Sequence, residues 1–205
     1  MSRASNAFPI VMSGPSGVGK TTLERKLVEA DPMLVSSIST TTRQPREGEK
    51  TGRDYFFVER DVFEYMKQRE LVEWAEVHGE LYGTPRRFVE NEMVNGRDVL
   101  LNIDVQGGIR AKKVFPDAVM IFIFPPSFEV LKERIRRRGD DKPFDVDTRL
   151  QNALEEINAS DQYDYFVVND DLDQAVGQIQ AIVEAERCRR VRQKSAVIDR
   201  LKSQE

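Results

Sequence analysis

The chain has 205 residues, 40% of them apolar and 32% charged, with a net charge of −4. That size and composition predict one folded domain with a sizeable core, and the acidic balance excludes a general nucleic-acid binder, which needs a basic face. The longest apolar run, "AVMIFIF" at Ala118–Phe124, is too short to cross a bilayer, and Cys188, the single cysteine, has no partner for an intramolecular disulfide, which fits a reducing, cytoplasmic setting.

The first residues hold too few apolar side chains for a secretory signal and read as a tail into the strand "FPIVMS" from Phe8. A glycine-rich turn follows, then a predicted helix over 20–30 and a second strand, "LVSSIS" from Leu34. Residues 39–96 break this rhythm with strand-like "DYFFV" and "LVEWAEV", helix-like "RDVFEYMKQ", and a helix opening near Pro85, where proline suits a first turn. The spacing of apolar residues then predicts a strand "DVLLNID" from Asp98, a helix over 106–114, the strand "AVMIFIF" and a helix over 127–138. The polar stretch "RRRGDDKPFDVDTR" reads as a mobile flap, and the expected lid covers 136–150. A helix over 147–160, a strand "YDYFVVN" from Tyr163 and a helix from 172 into the 190s complete the pattern, with 187–205 as a helical extension. Strands alternating with helices predict an α/β fold with a parallel core sheet flanked by helices, and 39–96 as an insert.

The turn "GPSGVGKT", Gly14 to Thr21, has the spacing G-x-x-x-x-G-K-[ST] between a strand and a helix. Its glycines let backbone N–H groups of Gly14, Ser16, Gly17, Val18 and Gly19 close on phosphate oxygens, with Pro15 contributing shape rather than a donor. Lys20 can reach terminal phosphates and the Thr21 hydroxyl can ligate Mg²⁺, with Thr22 beside it. This motif predicts a nucleoside triphosphate site and leaves the reaction open.

Residues 39–54 carry no aliphatic or aromatic side chain, and Arg43 and Arg46 there, with Tyr55, can clamp a second phosphate. The plainer reading is a solvated charged loop. In "EWAEVHGELYGT" the alternation of "LVEWAEV" places Glu73 on one face with Leu71, Ala75 and Val77, and a carboxylate there needs a partner. The Watson–Crick edge of guanine offers two donors and an acceptor, which Glu73, Tyr82 and Thr84 complement; adenine would face the carboxylate with another acceptor.

The blocks "GPSGVGKTT", "SISTTTRQPREGEKTGRDYFFV", "LVEWAEVHGELYGT", "NIDVQGG", "RIRRRGDD" and "FVVNDDLDQA" resemble, in order and spacing, the guanylate kinases. The resemblance covers most of the chain and implies a P-loop kinase fold with a GMP-binding insert and a lid, transferring the ATP γ-phosphoryl to GMP with Mg²⁺. It assigns guanine contacts to Ser39, Glu73, Thr84 and Asp104, and GMP-phosphate contacts to Arg43, Arg46, Tyr55 and Tyr82, with Gly83 lending backbone. It also assigns ATP-phosphate contacts to Arg134, Arg138 and Arg149, and places Asn169 near the adenine. Arg134 and Arg138 lie four apart on one helical face, where like charges want an anion between them. Arg136 and Arg137 read as solvated, Arg137 pairing with Glu133; His78, Trp74, Lys50 and Arg53 receive no chemical role.

The chain departs from the family at Asn102, where an acidic residue is usual, and in "PRR" after "YGT". Two other functions fit the same fold: a catalytically silent protein-binding module, and a kinase for another nucleoside monophosphate. The expected partners are the small molecules GMP and ATP, without nucleic acid or membrane, in a monomer or homo-oligomer.

Overall fold

In the computed structural model the described residues are 6–77, 79–137 and 143–193, without the side chains of 143–146. In chain order the elements are β1 (Pro9–Ser13), α1 (Lys20–Ala30), β2 (Leu34–Ser36), β3 (Thr40–Thr41), β4 (Phe56–Phe57), α2 (Arg60–Lys67), β5 (Leu71–Val77), β6 (Glu80–Pro85), α3 (Arg86–Val94), β7 (Asp98–Asn102), α4 (Val105–Val114), β8 (Val119–Phe124), α5 (Phe128–Arg137), α6 (Pro143–Asn158), β9 (Tyr165–Val168) and α7 (Leu172–Arg187). Five of the strands form a parallel sheet in the order β2-β7-β1-β8-β9.

The near-continuous apolar sequences of β1, β7 and β8 suit strands covered on both faces. Their side chains alternate between two cores. Ile10, Met12, Leu100, Ile121 and Ile123 pack with Leu23 and Leu27 of α1 and Ile179 and Val183 of α7. Val11, Val99, Leu101, Met120 and Phe122 pack on the other face with Val89 of α3 and Val105 and Ala111 of α4. Each such aliphatic side chain, fully buried, contributes roughly 1.5–3 kcal/mol, so the central strands fix the fold's three layers. A small separate cluster of Leu131, Ile135, Leu150 and Ala153 joins α5 to α6.

The insert folds as a second sheet, β4-β3-β6-β5. Two of its strands were not foreseen. Thr40 and Thr41 are buried, and as β-branched residues they pair with Gly83 and Tyr82 of β6 and with β4, so the polar stretch begins as a strand rather than a loop. Correspondingly, the expected strand "LVSSIS" stops at Ser36 in the core sheet.

Three other expectations change. The even alternation of β5 is broken: Leu71 pairs with Pro85 but Trp74 with Gly83, three steps against two, which is a bulge. Val72 and Glu73 are therefore both buried, and Ala75 and Val77 do not share Glu73's environment. The polar stretch read as a flap is helical wherever described, with α5 reaching Arg137 and α6 starting at Pro143, four residues before the expected helix at 147. Finally α7 ends at Arg187, the chain turns at Cys188 and is helical again over 190–193, which brings Arg192 back to Glu186 at 3.0 Å and over the Phe8 ring at 4.0 Å.

Candidate functional site

The turn after β1 sits at the C-terminal edge of the parallel sheet, beside the end of β7, where open α/β sheets place ligands. Gly17 and Gly19 have φ of 87° and 101°, a left-handed conformation that a side chain resists. At Gly14 a Cβ would stand 2.3 Å from the Ile123 carbonyl oxygen, so the loop lies against β8 with no room to spare. Gly19 caps α1 without a side-chain hydrogen bond and no acidic residue occupies the first turn. The N–H groups there and the positive end of the helix dipole therefore face outward, ready for an anion.

Around this loop the cleft is lined by Ser16, Lys20, Thr21, Asn102, Asp104 and Glu156 together with the glycines. Lys20 Nζ donates to the Gly14 carbonyl and approaches that of Pro15 at 3.4 Å. Pro15 also accepts from Val18 N at 3.1 Å, which closes the turn. Ser16, Thr21 and Thr22 are exposed. Asn169 is buried, and its amide donates to the Val18 carbonyl at 2.7 Å. Arg134 donates to the carbonyls of Val18 and Asn169 at 3.4 and 3.2 Å. Both side chains thus brace the back of the phosphate loop. Arg149 lies on α6, seven residues before Glu156, which puts the two on one helical face. Arg138 and His78 are outside the described residues.

The second half of the site is built by the insert. Thr84 donates to Glu73 Oε1 at 2.7 Å, and both residues are buried. Ser39, one residue before β3, comes level with Thr84 by the β3–β6 register. Across the gap, Asp104 caps α4 by accepting from Gly107 N at 2.6 Å. Gly107 sits between the two carboxylates: a Cβ there would be 3.0 Å from Glu73 Oε2 and 3.3 Å from Asp104 Oδ1. Burial pushes the Glu73 carboxyl above its ordinary range; the Thr84 hydrogen bond opposes that, and Asp104's charge adds to it. Ser39, Glu73, Thr84 and Asp104 are brought together as acceptors and hydroxyls around one small space.

Arg43 and the tyrosines form the neighbouring subsite. The Arg43 guanidinium stands 5.4 Å from the Tyr55 ring centre, and Tyr55 packs edge-on to Tyr82 at 6.0 Å. Glu49, which the sequence reading did not single out, grips Arg43 Nη2 with both oxygens at 2.9 and 3.0 Å and accepts from Arg46 N at 2.7 Å. That pairing raises the Arg43 pKa and holds the Glu49 carboxyl below the usual carboxylate range. The Arg46 side chain is exposed. Gly83 has a packing reason: a Cβ would meet Leu71 Cδ1 at 2.7 Å and the Glu73 carbonyl at 2.9 Å.

Glu156 was also missed, although its seven-residue spacing from Arg149 was visible. Burial raises its carboxyl pKa, with Lys20 pulling it back and Asp104 pushing it up. Among the residues read as solvated, Arg137 does approach Glu133, at 3.7 Å, while Arg53 is tied to Asp54 and the Gly48 carbonyl at 2.8 Å. Lys67 Nζ lies 3.8 Å from the Trp74 ring centre, so that ring is covered rather than open for stacking. Among the described residues no helix is long and apolar enough to cross a membrane.

Known proteins resemble the chain along nearly its full length. A family model described as guanylate kinase matches residues 6–186. The guanylate kinase of Caldanaerobacter subterraneus subsp. tengcongensis is 46% identical over 190 residues, covering 92% of this chain and 92% of the relative. That of Rhizobium meliloti is 50% identical over 191 residues, covering 92% of this chain and 87% of the relative. The crystal structure of guanylate kinase from Anaplasma phagocytophilum aligns with a TM-score of 0.71 at 36% identity, covering 93% of this chain and 90% of that one.

Proposed function

Because the chain belongs to the guanylate kinase family and transfers the γ-phosphoryl of ATP to GMP, we propose a division of that work among its own residues. The observation that carries it is the buried Thr84–Glu73 pair meeting Asp104 at Gly107, beside a phosphate loop whose helix is uncapped.

Glu73 accepts from the ring N–H and amine of guanine, with Ser39, Thr84 and Asp104 completing the base contacts. A group presenting an acceptor there, as adenine does, leaves the buried carboxylate unpaired. Arg43, Arg46, Tyr55 and Tyr82 hold the GMP phosphate, and Gly83 lends backbone between Tyr82 and Thr84. Glu49 keeps Arg43 aimed.

ATP phosphates settle on the N–H groups of the Gly14–Thr22 loop. Lys20 exchanges its loop carbonyls for phosphate oxygens, and Asn169 and Arg134 keep the loop in shape near the adenine side. Arg134 has more N–H donors than its two carbonyl partners use, and with Arg138 and Arg149 it faces the moving phosphoryl group as the lid closes. The reaction needs alignment and charge neutralisation more than a general base.

For Mg²⁺ the donor set fits: Thr21 offers an exposed hydroxyl, and Asn102, Asp104 and Glu156 supply oxygens around the same cleft. Thr21 would hold the ion from the protein side; among the described residues no three acidic, histidine or cysteine side chains are grouped so as to hold a metal. When bound, the ion neutralises charge on the transferring phosphates.

Turnover with GMP, AMP, CMP and UMP as acceptors tests the reading. GMP should exceed the others by at least about a hundredfold in kcat/KM, and comparable turnover of AMP overturns the guanine assignment. Lys20→Ala, assayed in parallel, should lose activity by orders of magnitude; near-normal activity removes the lysine from the mechanism.

A further inference from the structure

Glu24 lies on α1, in the turn after the phosphate loop, and takes no part in the mechanism above. Its side chain points inward. Oε1 accepts from Ser36 Oγ at the end of β2, and Oε2 accepts from Asn102 Nδ2 at the end of β7 at 2.7 Å. Asn102 also lines the phosphate cleft with Lys20, Thr21 and Asp104.

A carboxylate can only accept, so it selects the NH₂ end of any amide it meets. With Nδ2 committed to Glu24, the amide of Asn102 turns its carbonyl oxygen away from Glu24. The alternative orientation would set Oδ1 against the Glu24 oxygen, acceptor against acceptor, in a partly buried contact. We propose that Glu24 is a positioning residue: it fixes the polarity of Asn102 so that Oδ1 faces the phosphate cleft. There the oxygen accepts from a water of the Mg²⁺ shell without adding a charge beside the ATP phosphates. This inference rests on the guanylate kinase reading of the cleft.

The pair predicts a reciprocal pattern. In Glu24→Gln the new amide can donate as well as accept, so Asn102 is no longer held in one orientation. Asn102→Asp sets two carboxylates in the 2.7 Å contact. Combining them restores a donor at 24 and an acceptor facing the cleft at 102. Ser36→Ala removes the other partner of the same carboxylate without touching the amide.

Calorimetric binding of ATP, without GMP, is measured across a Mg²⁺ titration, alongside thermal unfolding of each variant. E24Q should need ~5–10-fold more Mg²⁺ for half-maximal enhancement of ATP binding, the worth of one hydrogen bond, with Mg²⁺-free ATP binding unchanged. N102D should unfold at lower temperature, the double variant should regain that stability, and S36A should lose stability alone. Unchanged Mg²⁺ dependence in E24Q, or losses that simply add in the double variant, would make Glu24 a packing staple and overturn the proposal. Since GMP is absent, failure here is distinct from failure of the acceptor test.

Discussion

Glu73 is buried, held by a hydrogen bond from the Thr84 hydroxyl, and its burial raises its pKa. For a carboxyl raised in the folded state, the folded form binds more protons than the unfolded one between the two pKa values. Stability is therefore greatest below the ordinary glutamate value of 4.5 and is lost as pH rises through the folded pKa. Glu73→Gln should match the parent's melting temperature below that value and exceed it increasingly above, while kcat/KM for GMP falls roughly a hundredfold. Thermal melts across pH, paired with steady-state kinetics, check both halves. Glu49 is a different case, since its ion pair is solvent-accessible. Such pairs are screened by water and contribute little, so Glu49→Ala should raise KM for GMP only about two- to fivefold, with KM for ATP unchanged. A larger loss would mean that Glu49 holds the loop backbone through Arg46 N more firmly than its exposure suggests.

At the scale of elements, α4 carries Gly107 and Gly108 in its first turns, where glycine weakens a helix by about 1 kcal/mol each relative to alanine. The contacts explain why they stay: Gly107 faces Glu73 and Asp104, and at Gly108 a Cβ would come 2.6 Å from the Tyr163 hydroxyl. Gly107→Ala should gain helix propensity and lose a similar amount by pushing the Glu73 carboxylate aside. Its melting temperature should stay within a few degrees of the parent's while GMP binding weakens; isothermal titration with GMP and with ATP should show the loss for GMP alone. The phosphate loop rests on β8, α5 and β9 in the same way. Asn169→Ala removes the 2.7 Å donor to the Val18 carbonyl and leaves only the longer one from Arg134 at 3.4 Å, which should cost ~0.5–1.5 kcal/mol and raise KM for ATP, seen in melts and kinetics together.

At the scale of the molecule, the end of α7 is tied to the start of the core sheet. Arg187 donates to Asp98 Oδ2 at 2.8 Å and pairs with Asp31 at 2.7 Å, and Asp98 also accepts from Phe8 N at 3.0 Å. Burial raises the Asp98 pKa despite these bonds. Arg187→Ala strands that buried carboxylate, and with the guanidinium partly exposed the expected loss is ~2–3 kcal/mol, below the full cost of breaking a buried pair. Activity per folded molecule should be unchanged, because the pair lies at the opposite edge of the sheet from the phosphate loop. Equilibrium denaturation against specific activity separates the two effects.

Periodicity and local chemistry in the sequence by themselves determined the parallel core, most helix positions and the glycine-rich loop between strand and helix, whereas the residues proposed to bind guanine and phosphate rest largely on the resemblance of whole motif blocks. The core, helices and loop depend on neighbours a few residues apart, where β-branched runs, glycines and helical spacing act directly. Tertiary structure alone decided the rest. Thr40 and Thr41 became a strand because β6 was available to pair with them, and the β5 bulge buried Val72 next to Glu73 because β6 needed two steps where β5 had three. Glu49 on Arg43, Glu24 on Asn102 and Gly107 between two carboxylates link positions whose meeting no local pattern encodes. Their energies come from distance and desolvation, which exist only once the chain has folded.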